Sequence, residues 1–187
     1  TFAEFPIPFL CVATDLENGQ MRIFEDGSLT DALRASSAFP SLFTPYELDS
    51  HLYVDGGIVN NYPVDPLKDR GIDYIIGVDV QDLLYTKDQL NSVVRILEQT
   101  SSYLNAAEYK RQLKLTNVLI KPDIKGVSIT DFDQFDLMIS KGEEAARQML
   151  PALLELSSKN KLRKADTSRK SILPLETFYV NTITIKG

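Results

Sequence analysis

His51-Leu52-Tyr53-Val54-Asp55-Gly56-Gly57 is a short β-prone run that ends in a carboxylate and two glycines. Leucine, tyrosine and valine suit the half-buried surface of a sheet. Paired glycines let the chain turn sharply or pass close to other backbone. An aspartate delivered by a strand into such a loop has two readings. It opens a tight turn, or it is a reactive group placed where strands of α/β proteins hand the chain to loops.

The neighbouring segments read as alternating strands and helices. Phe9 to Thr14 (FLCVAT) is a short apolar run fit for a buried strand, and Met21 to Glu25 (MRIFE) pairs with it across the Asn18-Gly19 turn. Thr30 to Ser37 is a short helix, stopped by the Phe39-Pro40 step because a residue before proline avoids helical backbone. Pro66 to Arg70 gives a turn or two of helix closed by Gly71, and Tyr74 to Val80 (YIIGVDV) is the most β-prone run of all.

Two long helices are expected next. Thr86-Lys87-Asp88-Gln89 has capping-box form, and Leu90, Val93, Val94, Leu97, Leu104 and Ala107 recur at helical steps, which predicts a helix to about Leu113 with that stripe turned inward. Val118 to Lys121 is a strand ended by Pro122. Phe135 to Leu156 carries Met138, Ala145, Met149, Leu153 and Leu156 on one stripe, with a kink expected at Pro151. The succession predicts an α/β fold, helices packed on a sheet.

Composition removes several classes. The 187 residues hold 20 basic and 26 acidic groups, for a net charge of -6, with one cysteine, one histidine and no tryptophan. Cys11 and His51 alone cannot build an internal disulfide or a structural zinc site. An acidic chain lacks the basic footprint of a nucleic-acid-binding surface, so no nucleic-acid partner is expected. The longest near-apolar stretch, Phe5 to Ala13, is broken by two prolines and is too short to span a bilayer. Positive charge gathers only in residues 159–170 (KNKLRKADTSRK), six basic groups against one acidic. That stretch is either a solvated linker or a patch for anionic lipid headgroups. A chain that opens on Thr1 rather than methionine is expected to be a processed or excised piece.

Ala32-Leu33-Arg34-Ala35-Ser36-Ser37-Ala38-Phe39-Pro40, Phe43-Thr44-Pro45 and Tyr53-Val54-Asp55-Gly56-Gly57-Ile58-Val59-Asn60-Asn61-Tyr62-Pro63-Val64 follow one another in order. In these spaced elements, and in Pro8-Phe9 through Thr14-Asp15-Leu16 and Gly19 before them, the chain resembles the second half of the patatin-like phospholipase family, closely over residues 5 to 80. The resemblance implies part of a three-layer α/β/α sheet with two long C-terminal helices. It also implies a lipid acyl hydrolase of phospholipase A type with a Ser-Asp dyad. Asp55 then corresponds to the dyad aspartate, with Gly56, Gly57 and Asn61 as its supporting motif residues. No cofactor or metal is implied.

The family's nucleophile lies in a Gly-X-Ser-X-Gly elbow, and a glycine-rich loop forms its oxyanion hole. This chain has neither motif: Gly27-Ser28 and Gly126-Val127-Ser128-Ile129-Thr130 both lack the later glycine, and Ser36 and Ser37 sit in the structural part of the pattern. His51 cannot replace the missing partner. Four residues along one strand separate it from Asp55 by roughly 13 Å, far beyond hydrogen-bond reach. Cys11, in an apolar run, reads as a buried thiol. The chain by itself is therefore expected to be inactive. Scarcity of histidine is no bar to a hydrolase whose base is an aspartate.

Residues 178–187 (FYVNTITIKG) alternate like the opening strand of a POTRA (polypeptide transport-associated) domain. The expected organisation is thus a patatin-like part at 1–157, a basic linker at 158–176 and the first strand of a POTRA domain at 177–187. It implies an outer-membrane-associated or secreted Gram-negative protein. The expected partners are a phospholipid or other acyl-ester lipid and a membrane surface. Two other readings stand beside this one: a non-catalytic patatin-derived module that binds lipid or protein, and a subunit complementing a separate serine-bearing chain. An incomplete sheet would expose an edge and apolar helix faces, so self-association or a retained N-terminal fragment is expected.

Overall fold

In the computed structural model, which describes residues 1–81, 84–128 and 130–159, strands β1 (Cys11–Asp15) and β2 (Met21–Phe24) form the expected hairpin. Helix α1 (Leu29–Ser36) follows, capped by Ser28, whose hydroxyl accepts from the Asp31 N–H at 3.3 Å. Strands β3 (Tyr46–Leu48) and β4 (His51–Asp55) then complete an antiparallel sheet in the order β2-β1-β4-β3. β3 is too short to show an alternation, and the sequence reading misses it. It is defined by pairing with β4 across Asp49 and Ser50, both at positive φ (51° and 65°), the geometry of a tight hairpin turn.

α1 lies on this sheet through small residues. Ala32 and Ala35 are buried beside Ala13, so the helix backbone comes close to β1. Phe2, Phe24 and Tyr53 fill the remaining space, with Phe24 and Tyr53 edge to face at 5.5 Å between centroids.

Helix α2 (Asp65–Lys68) leads to a second, two-stranded parallel sheet of β5 (Ile76–Val78) and β6 (Val118–Ile120), in register Ile76 to Val118. Ile75 packs with Tyr62 and Val64 in a second apolar cluster, joined by Leu67, Leu113 and Leu119. The residues pointing the other way, Ile76, Val78 and Val80, are 51%, 55% and 60% exposed. The fold is thus α/β as expected, with its strands divided between two sheets.

Helix α3 (Val93–Leu113) ends where expected and departs from expectation in two respects. Its start is Ser92, whose hydroxyl accepts from the Arg95 N–H, while Thr86 to Gln89 forms a separate turn in which the Gln89 side chain accepts from the Thr86 N–H at 2.9 Å. Extended backbone at Ser92 (φ -139°, ψ 154°) keeps the two from merging. The inward stripe is also wrong. Val93 and Leu104 are exposed, and the buried residues of α3 are Gln99, Asn105 and Gln112. The reason lies in what α3 covers, which is loop backbone with unmet hydrogen-bonding groups.

The last expected helix is two, α4 (Phe135–Gln148) and α5 (Leu150–Lys159), broken at Met149 just before Pro151. Its predicted stripe is the covered one: Ala145 is buried, and Met138, Met149, Leu153 and Leu156 are half-buried. The basic stretch beyond Lys159 and the strand proposed for 177–187 lie outside the described residues.

Candidate active site

Asp55 is the last residue of β4, and three backbone contacts fix it. It lies opposite Ala13 of β1, its N–H donates to the Ala38 carbonyl at 3.0 Å, and its own carbonyl accepts from the Thr14 hydroxyl at 2.9 Å. The chain then enters a single 3-10 turn, Gly56–Ile58. The Gly57 N–H donates to Asp55 Oδ1 at 2.7 Å. Among the described residues Oδ2 has no hydrogen-bond partner.

The two glycines are demanded by crowding. A Cβ on Gly56 would lie 2.4 Å from the Val12 carbonyl oxygen, so the turn could not pass over β1. A Cβ on Gly57 would lie 2.6 Å from Asn61 Oδ1 and 3.1 Å from Asp55 Oδ1, in the space of the carboxylate itself. Asp55, Gly56, Gly57 and Asn61 therefore come together as one turn. The tight-turn reading of the tripeptide holds, and the residue that opens the turn also lines a cavity.

That cavity, about 270 Å³, runs from Asp55, Gly57 and Asn61 to Gln81 and to α3. Burial pushes the Asp55 carboxyl above its ordinary range, partly offset by the Gly57 N–H.

The other side of the turn is held by α3. Ser101 Oγ donates to the Gly57 carbonyl at 2.9 Å, and Asn105 Nδ2 donates to the carbonyls of Gly57 and Ile58 at 3.2 and 2.9 Å. Seven residues further, about two helical turns, Gln112 is fully buried. Its Oε1 accepts from the Val64 and Asp65 N–H groups, and its Nε2 donates to Asn60 Oδ1 at 3.0 Å. Ser101, Asn105 and Gln112 share one face of α3, since steps of four and seven residues return to nearly the same angle. Sequence reading missed them because it followed the apolar residues. Their spacing was the available signal.

The remaining candidates are placed elsewhere. Ser37 Oγ donates to the Leu33 carbonyl of its own helix at 2.7 Å. Cys11 packs against the first apolar cluster, and burial pushes its thiol up, which disfavours the thiolate, while Ser36 acts weakly the other way. His51 Nδ1 lies 3.1 Å from Asp15 Oδ2 at the β1–β2 hairpin. Asp15, Glu17 and His51 bring ligand atoms within 4.8 Å of one another, the spacing a metal ion would need. The Asp15 carboxylate is already engaged there by the Glu17 N–H at 2.9 Å and Asn18 Nδ2 at 3.0 Å.

Fold and site together define an α/β protein that presents a buried-side carboxylate at a strand end, over a cavity roofed by a polar helix face. Residues 1–68, the part carrying Asp55, match the model of the patatin-like phospholipase family. An NTE family protein of Mycobacterium tuberculosis is 40% identical over 77 residues, covering 41% of this chain and 21% of that protein. A patatin-like phospholipase domain-containing protein of Caenorhabditis elegans is 25% identical over 175 residues, covering 77% of this chain and 13% of its own length. A lysophospholipase of Scheffersomyces stipitis is 24% identical over 200 residues, covering 89% and 13%. Over residues 1–68 the chain is thus similar to the patatin-like phospholipase family. The chain spans between 13% and 21% of the length of these three relatives.

Proposed function

We propose that this chain supplies the aspartate of a Ser-Asp dyad in a lipid acyl hydrolase of phospholipase A type. The observation that carries the reading is the Asp55 carboxylate itself. One oxygen is held by the Gly57 N–H, the other has no partner among the described residues, and the group sits at the cavity within the segment that matches the family. Asp55 Oδ2 takes the proton of a serine hydroxyl as the serine oxygen attacks the ester carbonyl. The same carboxyl returns that proton to the leaving alcohol, and water then releases the acyl group. A carboxyl raised by burial is a better base for this task than one in water. The serine and the glycine-rich oxyanion loop are supplied from outside these 187 residues, because neither a Gly-X-Ser-X-Gly nor a glycine-rich run occurs among them.

The test is ester turnover. The chain alone is expected to give none above a buffer blank. In the protein that unites it with a Gly-X-Ser-X-Gly segment, Asp55→Asn is expected to lower kcat by about 10² to 10⁴. Undiminished turnover by that variant would overturn the reading. The acid limb of the pH-rate profile is expected above that of a free aspartate, because burial raises the Asp55 carboxyl.

Two further parts of the reading concern surroundings. The uncovered apolar side of β5, with Ile76 and Val78 and with Val80 just beyond it, is read as a seat for the serine-bearing part of the fold, and through it the chain alone self-associates. An outer-membrane or secreted setting in a Gram-negative cell rests on residues 159–187, and cell fractionation tests it. Among the described residues no helix is long and apolar enough to cross a membrane.

A further inference from the structure

Gln81 stands out in the wall of the Asp55 cavity. Its backbone is pinned from both sides. The Gln81 N–H donates to Asp79 Oδ1 at 3.0 Å, and Lys121 Nζ donates to the Gln81 carbonyl at 3.1 Å. Asp79 is itself 1% exposed and accepts from the Tyr109 hydroxyl and from Lys121 Nζ at its other oxygen. Three side chains thus fix where the Gln81 side chain starts. Yet the far end of that side chain is unanswered, since Nε2 is buried and has no hydrogen-bond partner. A buried donor without an acceptor is destabilising, and folded proteins keep few of them. Beside a cavity and on a locked backbone, rotation of the side chain can turn such a donor toward a ligand.

The chemistry of the cavity narrows the ligand. Its lining includes the carboxylates Asp55 and Glu98, and among the described lining residues there is no lysine, arginine or histidine. A phosphate placed here would meet negative charge with no counterion, whereas an ester carbonyl is an uncharged acceptor. Phe39, Val80, Leu84 and Val127 add apolar wall for hydrocarbon beside it.

We propose that Gln81 is a substrate-orienting residue whose amide, turned by side-chain rotation alone, donates to the carbonyl oxygen of an acyl ester in the Asp55 cavity. The cavity therefore takes the neutral ester region of a lipid and leaves any phosphate outside. This deepens the reading of Asp55 and rests on it.

The experiment is a titration of the full 187-residue chain, labelled with ¹⁵N, with monobutyrin as the neutral ester and glycerol 3-phosphate as the anionic comparison. The side-chain amide pair of Gln81 is assigned by its loss in Gln81→Leu. Monobutyrin is expected to shift that pair and glycerol 3-phosphate to leave it in place. Gln81→Leu is expected to bind monobutyrin about tenfold more weakly, the worth of one hydrogen bond, and Gln81→Glu more weakly still. Neither change should lower Tm by loss of an internal bond, because no such bond is made. Equal binding by Gln81→Leu, a lowered Tm in that variant, or a shift caused by glycerol 3-phosphate instead would each overturn the proposal. Asp55→Asn keeps the two readings apart: it is expected to retain monobutyrin binding in this assay while losing turnover in the serine-bearing protein.

Discussion

At Asp55 a single partly buried carboxylate is held at a cost to stability. Burial raises its pKa, so the folded chain disfavours the ionised form. The contribution of this group is fully present below the unfolded-state pKa and is lost as pH rises through the folded-state value. Asn in its place keeps an acceptor for the Gly57 N–H and carries no charge to desolvate. Asp55→Asn is therefore expected to melt above the wild type at pH 7, with the gap closing as pH falls through the carboxylate range. Each kcal/mol regained reads as about 2–4 °C in a chain of this length, and thermal melts across pH 3 to 8 check it. A variant that melts lower at pH 7 would mean the carboxylate is held by more than the Gly57 N–H.

At the scale of elements, α3 turns a polar side toward the Asp55 turn and packs apolar side chains, Tyr109 and Leu113, near its C-terminal end. Gln112 answers two backbone N–H groups and Asn60 at once, so Gln112→Leu leaves several buried polar groups unmet and is expected to cost about 2–4 kcal/mol. Leu104→Ser, at a position 74% exposed, is expected to stay within about 0.5 kcal/mol. Urea melts of both variants decide the matter, and the reverse ranking would restore the apolar-inward reading. This is also where sequence reading meets its limit. β4, the Asp55 turn and α1 were legible because short strands, paired glycines and a capped helix write themselves locally. The inner face of α3 was not, because it is chosen by carbonyls some 45 residues away whose need appears only once the Gly56–Ile58 turn is folded. The cavity depends on the same distant meeting, so Gln81 carried no mark in the sequence.

At the scale of the whole molecule, the two sheets differ in how they are covered. The antiparallel sheet buries Phe24 and Tyr53 under α1 and the N-terminal aromatics, whereas the parallel pair leaves Ile76, Val78 and Val80 in solvent. Parallel sheets are ordinarily covered on both faces. The chain alone is expected to scatter light as an oligomer, and the triple change of Ile76, Val78 and Val80 to threonine, which keeps β-branching, is expected to shift it toward monomer. A parent that is already monomeric, with no peptide bound, would refute this. The polar roof over the Asp55 turn has one more consequence. Exposing polar surface lowers heat capacity where exposing apolar surface raises it, so α3 lifting from the turn would raise heat capacity less than the lifting of an apolar helix face would. The opening would show instead as exchange of the Val64 and Asp65 amide hydrogens with solvent, at a free energy below that of global unfolding.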